Sequence, residues 1–444
     1  MSLPHYEAYK PIQVAWLDHL PAHWTITRLK FVLSDMGSGG TPDTENSEFW
    51  SENESGIPWV AISDMSDQSL IVNTAKRLTS AGLASKRLTV WPEGTLLFSM
   101  YASLGHTALL SMPATTNQAI LALLPTKKMD KRFLVKWLEF LKPTLAEQAS
   151  SNTQDNLNAE KVRNLVVVYP PQGEQSAIAA FLDHETAKID ALIAEQEKLI
   201  ALLAEKRQAT ISHAVTRGLN PDVPMKDSGV AWLGEVPAHW DIKRLKSLSP
   251  AISVGIVVNP SEYISNEGLP FIYGGDISEG NINTENCRRI LPEISQSQIK
   301  SQLREGDLLT VRVGAPGVTA VVPKECTGGN CASVMLIRKG DFQSDWLCFA
   351  MNSNMVRFQV KVVQYGAAQE QFNINHAVNF LIATPPLAEQ LIIANYIKDK
   401  TSILDNLLAE TNNIINLMQE RRSALIAAAV TGQIDVRNFV AEAS

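Results

Sequence analysis

The stretch Lys10-Pro-Ile-Gln-Val-Ala-Trp-Leu-Asp-His-Leu-Pro-Ala-His-Trp-Thr-Ile-Thr-Arg-Leu-Lys30 is written a second time, 216 residues later, over positions 226–246. Thirteen of its 21 positions are identical in the second copy, including Val14-Ala-Trp-Leu17 with Val230-Ala-Trp-Leu233 and Pro21-Ala-His-Trp24 with Pro237-Ala-His-Trp240. Farther on, at an offset of 215, Pro170, Pro171, Glu174 and Gln175 match Pro385, Pro386, Glu389 and Gln390. Solenoid repeats have periods of about 20–50 residues, so this spacing excludes them. The chain is a duplicated domain pair, and such a protein most naturally meets a duplicated or two-part target.

Beyond each Pro-Pro block runs a long amphipathic segment. In the first copy apolar residues fall at Ile178, Phe181, Leu182, Ile189, Leu192, Ile193, Leu199, Ile200, Leu203, Ile211 and Val215. Their spacing follows the helical period, with Glu, Lys and Gln on the other face. The second copy places Ile393, Tyr396, Ile397, Leu404, Leu407, Leu408, Ile414, Ile415, Met418, Ile426 and Val430 at the same positions, 215 residues on. The prolines fix the helix starts, and Gly218 and Gly432 mark the ends. About 40 residues at ~1.5 Å each give a rod of roughly 60 Å. So long an apolar stripe requires another helix, and the duplicate is the obvious partner. Each helix could otherwise fold back on its own domain or pair with another chain. Paired across a pseudo-twofold axis, the helices run antiparallel with one domain at each end, which makes them a ruler.

Ahead of each helix, short apolar runs bounded by Gly, Pro and Asn read as buried strands. Residues 57–62, 95–99 and 119–123 have counterparts in the same order at 269–273, 307–311 and 332–336. Asp64 corresponds to Asp276, Gly94 to Gly306, Gly105 to Gly317 and Asn117 to Asn330. The segments Gln154-Asp-Asn-Leu-Asn158 and Gln369-Glu-Gln-Phe-Asn373 read as structural closures. The fold class is α+β: two similar mixed α/β domains separated by two long antiparallel coiled-coil helices. The domains divide as 1–173 (first domain with the N-terminal repeat block), 174–217 (first helix), 218–388 (linker and second domain), 389–436 (second helix) and 437–444 (tail). Between the anchors the halves differ in length and in nearly every polar residue, as two readers of different targets would.

Composition bounds the function. The 444 residues suffice for several cores. No apolar run reaches membrane-spanning length, and residues 1–10 do not read as a secretion signal, so a cytoplasmic protein with no membrane partner is expected. Cys287, Cys326, Cys331 and Cys348 all lie in the second half, complete no zinc pattern and read as reduced core thiols. The net charge is -7, yet residues 28–142 carry 12 Lys and Arg against 11 Asp and Glu, and residues 243–366 carry 13 against 11. The acidity lies outside the two globular domains, which leaves their faces free to be locally basic.

The layout of two variable domains, each opening after Pro-Ala-His-Trp and closing on Pro-Pro-x-x-Glu-Gln before a long helix, resembles the specificity subunit of type I restriction-modification systems. The text Phe181-Leu-Asp-His-Glu-Thr-Ala-Lys-Ile-Asp-Ala-Leu192 and the endings Glu205-Lys-Arg207 and Glu420-Arg-Arg-Ser-Ala-Leu-Ile426 are typical of that family. The resemblance spans about Trp16 to Asp435. It implies target-recognition domains that read one half each of a bipartite double-stranded DNA site. It further implies two methyltransferase subunits clamped on the helices and two ATP-dependent motor-nuclease subunits. S-adenosylmethionine, ATP and magnesium ions would belong to those partners, with no cofactor in this chain. Partner-binding positions on the helices would include Ile189, Leu192, Leu199, Leu203, Leu404, Leu407, Ile414 and Met418.

Gly37-Ser-Gly-Gly-Thr-Pro42 resembles the family's Gly-Thr-Pro opening of a recognition domain. Gly40 and Thr41 are thus either DNA-contact candidates or a tight turn against their own sheet. The second half has only Ser253-Val-Gly-Ile256 there. Base readers must offer hydrogen bonds matched to base edges. Among divergent segments the densest cations are Lys76-Arg77, Lys86-Arg87 and Arg288-Arg289, with Arg312 and Lys324 near glycine-rich turns. Each can also be a solvated surface group or a phosphate contact. Tyr101 and Tyr273 are possible groove or stacking residues. No Asn-Pro-Pro-Tyr, no phosphate loop with its lysine and no metal spacing appears, so no catalytic or metal residue is expected. From a different functional class, a coiled-coil scaffold whose globular domains bind protein remains the alternative.

Overall fold

A computed structural model of the chain describes residues 4–14, 16–66, 68–101, 104–150, 157–365 and 373–439. It divides into two units, Met1–Glu195 with Ile414–Ser444, and Gln196–Asn413. The first long helix, Gln172–Arg217, and the second, Leu387–Val430, each contribute one half to each unit. Both begin at the residue after the Pro-Pro pair, and the second stops at Val430, short of the expected 436. Gly218 and Gly432 follow their ends at φ +74° and +71°, a left-handed cap that costs glycine little.

In the first unit a five-stranded sheet runs in the order Leu33–Ser38, Ile120–Pro125, Leu96–Ser99, Thr107–Leu110, Leu70–Ile71. Every residue of Leu96–Ser99 is buried because the strand feeds two cores from its two faces. Leu96 and Phe98 pack with Phe133, Trp137 and Leu138 of helix Lys131–Ser150 and with Ile178, Phe181 and Leu182 of the first long helix. Leu97, on the opposite face, joins Val60, Trp91 and Ile120. A second sheet lies in the order Thr115–Thr116, Ile57–Val60, Lys76–Leu78, Trp50–Ser51.

Among its described residues the second unit repeats this plan with one strand fewer in each sheet. Its main sheet runs Ile252–Val254, Met335–Ile337, Leu308–Thr310, Thr319–Val321, and its smaller one Arg288–Ile290, Leu269–Ile272, Asn330–Cys331. Leu308 packs with Trp346, Ile393 and Val215, while Leu309 faces Ile272 and Cys331, the same division of faces. Asp64 and Asp276 play one role, each carboxylate accepting from a backbone N–H three residues earlier, Ala61 and Tyr273, at 2.8 Å. One sequence correspondence needs correction. In the parallel ladders Trp59 faces Thr115 and Phe271 faces Asn330, so Asn330 is the counterpart of Thr115 and not of Asn117. Of the two closures, residues 154–156 and 369–372 lie outside the described residues. Asn158 and Asn373 are both helix N-caps, accepting from Lys161 and Asn375.

The recurrent blocks recur because they meet one another. Trp24 is buried and its indole N–H donates to Glu174 at 2.9 Å, with His23 on the other carboxylate oxygen at 2.8 Å. Trp240 and His239 likewise hold Glu389, at 3.1 and 2.7 Å, but both on one carboxylate oxygen, Oε2. Gln175 ties the helix start to the Pro170 carbonyl, and Gln390 does so to that of Pro385, both at 2.9 Å.

Within each unit the helix halves run antiparallel. In the first, the Tyr6 hydroxyl donates to Glu174 and the Tyr9 hydroxyl to the Gly432 carbonyl, which puts one helix start near the other's end, while Asp190 accepts from Arg422. In the second, Gly218 lies beside Trp240 and Glu389, and Asp405 accepts from Arg207 at 2.9 Å.

Candidate nucleic-acid interface

The candidates on the recognition domains fall into three groups by what holds them. The glycine loop is pressed on its own sheet. A side chain on Gly39 would bring its Cβ to 1.7 Å from the Thr116 carbonyl oxygen, and the Gly40 N–H donates to that same oxygen at 2.9 Å. Thr41 hydrogen-bonds Gln118 at 2.6 Å, and the Trp59 indole donates to the Gly40 carbonyl at 2.9 Å. In the second domain Gly255 likewise crosses the Cys331 carbonyl, at 2.3 Å for an added Cβ, and the Ile256 N–H donates to it. Close backbone approach is therefore what both loops require of glycine, with or without a Gly-Thr-Pro triplet.

The paired cations separate. Arg77 donates to the Gly56 carbonyl at 3.1 Å and to Asn73 at 3.0 Å, and Arg289 donates to the Thr284 carbonyl at 3.3 Å. Lys76 lies over the Trp50 ring at 5.1 Å, and the Arg288 guanidinium over the Tyr273 ring at 4.2 Å. Among the described residues the buried Tyr273 hydroxyl has no hydrogen-bond partner, and burial raises its pKa above the usual phenol value. Tyr101 is exposed.

Lys86 and Arg87 are exposed just past helix Ser80–Ser85, Arg87 in the left-handed region at φ +51°. Arg312 is half-buried two residues beyond strand Leu308–Thr310, and Lys324 is exposed at the start of a short 3-10 turn. Among the described residues Lys86, Arg87 and Lys324 do not join the cation–aromatic clusters. The aromatic partners Trp50 and Tyr273 decide which cations are poised, and only Tyr273 stood out in the sequence. The signal that could have found the equivalence was the offset of 212, shared by Ile57-Pro-Trp59 with Leu269-Pro-Phe271 and by the two cation pairs.

On the helices Ile189 and Leu404 are buried, whereas Leu192, Leu199, Leu407 and Ile414 are 40–52% exposed; Leu203 and Met418 are half-buried. Leu202 and Leu417, again 215 residues apart, are both 55% exposed. The same apolar positions are thus left open on both helices. All four cysteines are free and buried, and burial pushes the thiols of Cys326, Cys331 and Cys348 up to about 12, so they carry no thiolate near neutrality. No helix among the described residues is long and apolar enough to cross a membrane.

Residues 21–201 match the family model for the type I restriction modification DNA specificity domain. The type I restriction enzyme EcoBI specificity subunit of Escherichia coli is 24% identical over 401 residues, 88% of this chain and 82% of that one. The MjaIX specificity subunit of Methanocaldococcus jannaschii is 24% identical over 58% of each chain. The fold is shared with a chain solved in work on complex assembly and conformational transition of the type I restriction-modification system, with TM-score 0.67 and 18% identity, over 93% of this chain and 99% of that one. Residues 21–201 thus match a type I restriction modification DNA specificity domain, and over both halves the chain is similar to a specificity subunit of a type I restriction-modification system.

Proposed function

We propose that the chain recognises a bipartite duplex DNA site, one half-site per recognition domain, and scaffolds the methyltransferase and motor-nuclease subunits that act there. The observation that carries this reading is the pair of domains with one strand order and one buried base but different loops: the scaffold is common and the reading surface is not. The apolar positions left open at equivalent places on the two helices, Leu192 with Leu407, Leu199 with Ile414 and Leu202 with Leu417, suit two copies of one partner. A scaffold that binds only protein would not call for one cation position to be kept on divergent surfaces. The chain itself is proposed to be non-catalytic and cytoplasmic. S-adenosylmethionine, ATP and magnesium ions are assigned to the partners.

Domain exchange tests the reading. Replacing residues 35–150 with the corresponding domain of another specificity subunit, in the assembled methyltransferase, is expected to change one half of the methylated site and leave the other intact. Mapping methylated adenines in the modified DNA reads the result. A change in both halves, or in neither, would sink the one-domain, one-half-site assignment.

A further inference from the structure

Lys76 and Arg288 occupy the same place in the same ladder. Trp59 faces Lys76 across the antiparallel strands of the first domain, and Phe271 faces Arg288 across those of the second; Pro58 with Arg77 and Pro270 with Arg289 match at the next step. Burial runs identically along the two strands, with the first residue exposed, the second half-buried and the third buried. Each aromatic ring beneath the cation stands edge-on to the strand's own aromatic, Trp50 to Trp59 at 5.1 Å and Tyr273 to Phe271 at 5.0 Å. The pattern is therefore built twice from different residues: a cation over a ring, and that ring braced by a second.

The chain ties down the second cation of each pair and leaves the first available. Arg77 and Arg289 are bound to loop carbonyls, whereas among the described residues neither Lys76 nor Arg288 has a hydrogen bond or ion pair. Glu45, Glu52 and Glu54 line the same hollow as Lys76 without closing an ion pair on it. A long exposed cation would normally sweep through many rotamers, and resting on a ring restricts it, so less freedom is lost when it meets a ligand. A guanidinium lying on a ring keeps its N–H edge open for two parallel hydrogen bonds, the geometry that matches O6 and N7 of guanine. An ammonium can engage the same two acceptors as a compact charge.

We propose that Lys76 and Arg288 are equivalent base-reading residues, each donating to the O6/N7 edge of a guanine in the half-site read by its own domain. The proposal rests on the reading of the chain as a DNA-specificity subunit.

The test uses the full chain assembled with its methyltransferase subunits, S-adenosylmethionine and a random-sequence duplex library, with methylated adenines mapped by sequencing. The wild-type arm defines both half-sites. Arg288→Ala is expected to lower methylation of the wild-type site about 10- to 100-fold and to erase the preference for guanine at one position of one half-site. Lys76→Ala should do the same at one position of the other half-site. Arg288→Lys keeps the charge and the ring contact but loses the fork, and should relax the same position with a smaller fall. Both side chains are exposed, so unchanged melting temperatures show that the variants fold. Uniform loss across all sequences with a shallower salt dependence would identify phosphate contacts and overturn the proposal. Unchanged preference would overturn it too, as would both variants acting on one half-site. A wild-type complex without any sequence preference would instead overturn the specificity reading, and the proposal with it.

Discussion

Glu174 holds three donors on one carboxylate: Tyr6 at 2.7 Å, Trp24 at 2.9 Å and His23 at 2.8 Å. Its side chain is 7% exposed, against 28% for Glu389, which among the described residues holds Trp240 and His239. Trp24 and Trp240 are both buried, so loss of either glutamate leaves an indole N–H without its acceptor, at about 1–3 kcal/mol, but loss of Glu174 also strands the Tyr6 hydroxyl. Glu174→Ala should therefore lower the thermal midpoint more than Glu389→Ala, and the reverse order would contradict this account of the base. Tyr6 adds a pH dependence. Burial first, then the hydrogen bond and charge of Glu174, raise its phenol well above the ordinary value near 10. Above about pH 10 an unfolded chain would ionise this group while the folded one keeps its proton, so the unfolded state binds fewer protons and stability falls as pH rises. Tyr6→Phe should flatten that alkaline decline in unfolding experiments. If wild type and variant decline with equal slopes, the phenol is not responsible.

The long helices show what a sequence can and cannot disclose about an element. The period and the punctuation were legible, because Pro170-Pro171, Pro385-Pro386, Gly218 and Gly432 flank a regular apolar stripe, although the expected bound at 436 overran the second helix. The side-chain partners were not. Arg207 and Arg422 are one repeat position, and each donates to the repeat-equivalent aspartate of the other helix, Asp405 and Asp190. Their second partners come from unrelated places, Glu279 after strand Ile277–Ser278 and Glu139 on helix Lys131–Ser150, which no offset could have matched. Charges on the helix–domain contacts are even inverted: Asp183 faces Arg132 and Lys136, while its counterpart Lys398 faces Asp345. Likewise Asn330 resembled Asn117 by residue type, yet the ladder register decides its place. Arg422→Ala leaves Glu139 and Asp190 without their shared cation, and the partly exposed site sets the loss at about 1 kcal/mol. A double-mutant cycle of Arg422→Ala with Asp190→Ala should give a coupling energy of about 0.5 kcal/mol or more. Strict additivity of the two substitutions would show that the pair contributes nothing.

At the scale of the whole molecule, the question is what fixes the distance between the two half-sites. The first long helix contributes Gln172 through Glu195 to one unit and Gln196 through Arg217 to the other, and the second is divided likewise at Asn413 and Ile414. Four extra residues placed after Leu199 and four after Ile414 would lengthen each helix by roughly 6 Å. Asp190–Arg422 and Arg207–Asp405 lie outside the insertions on both helices, so each pair can keep its register within its unit. Duplex DNA rises about 3.4 Å per base pair. The preferred gap should therefore grow by about one or two base pairs while both half-site sequences stay the same, measured as methylation across duplexes that differ only in gap length. Four residues bring the apolar stripe almost back to its original face, whereas two residues rotate it by about 200° and should abolish assembly. An unchanged gap optimum with activity retained would mean that the helices do not set the spacing, and the ruler would have to be sought in the recognition domains themselves.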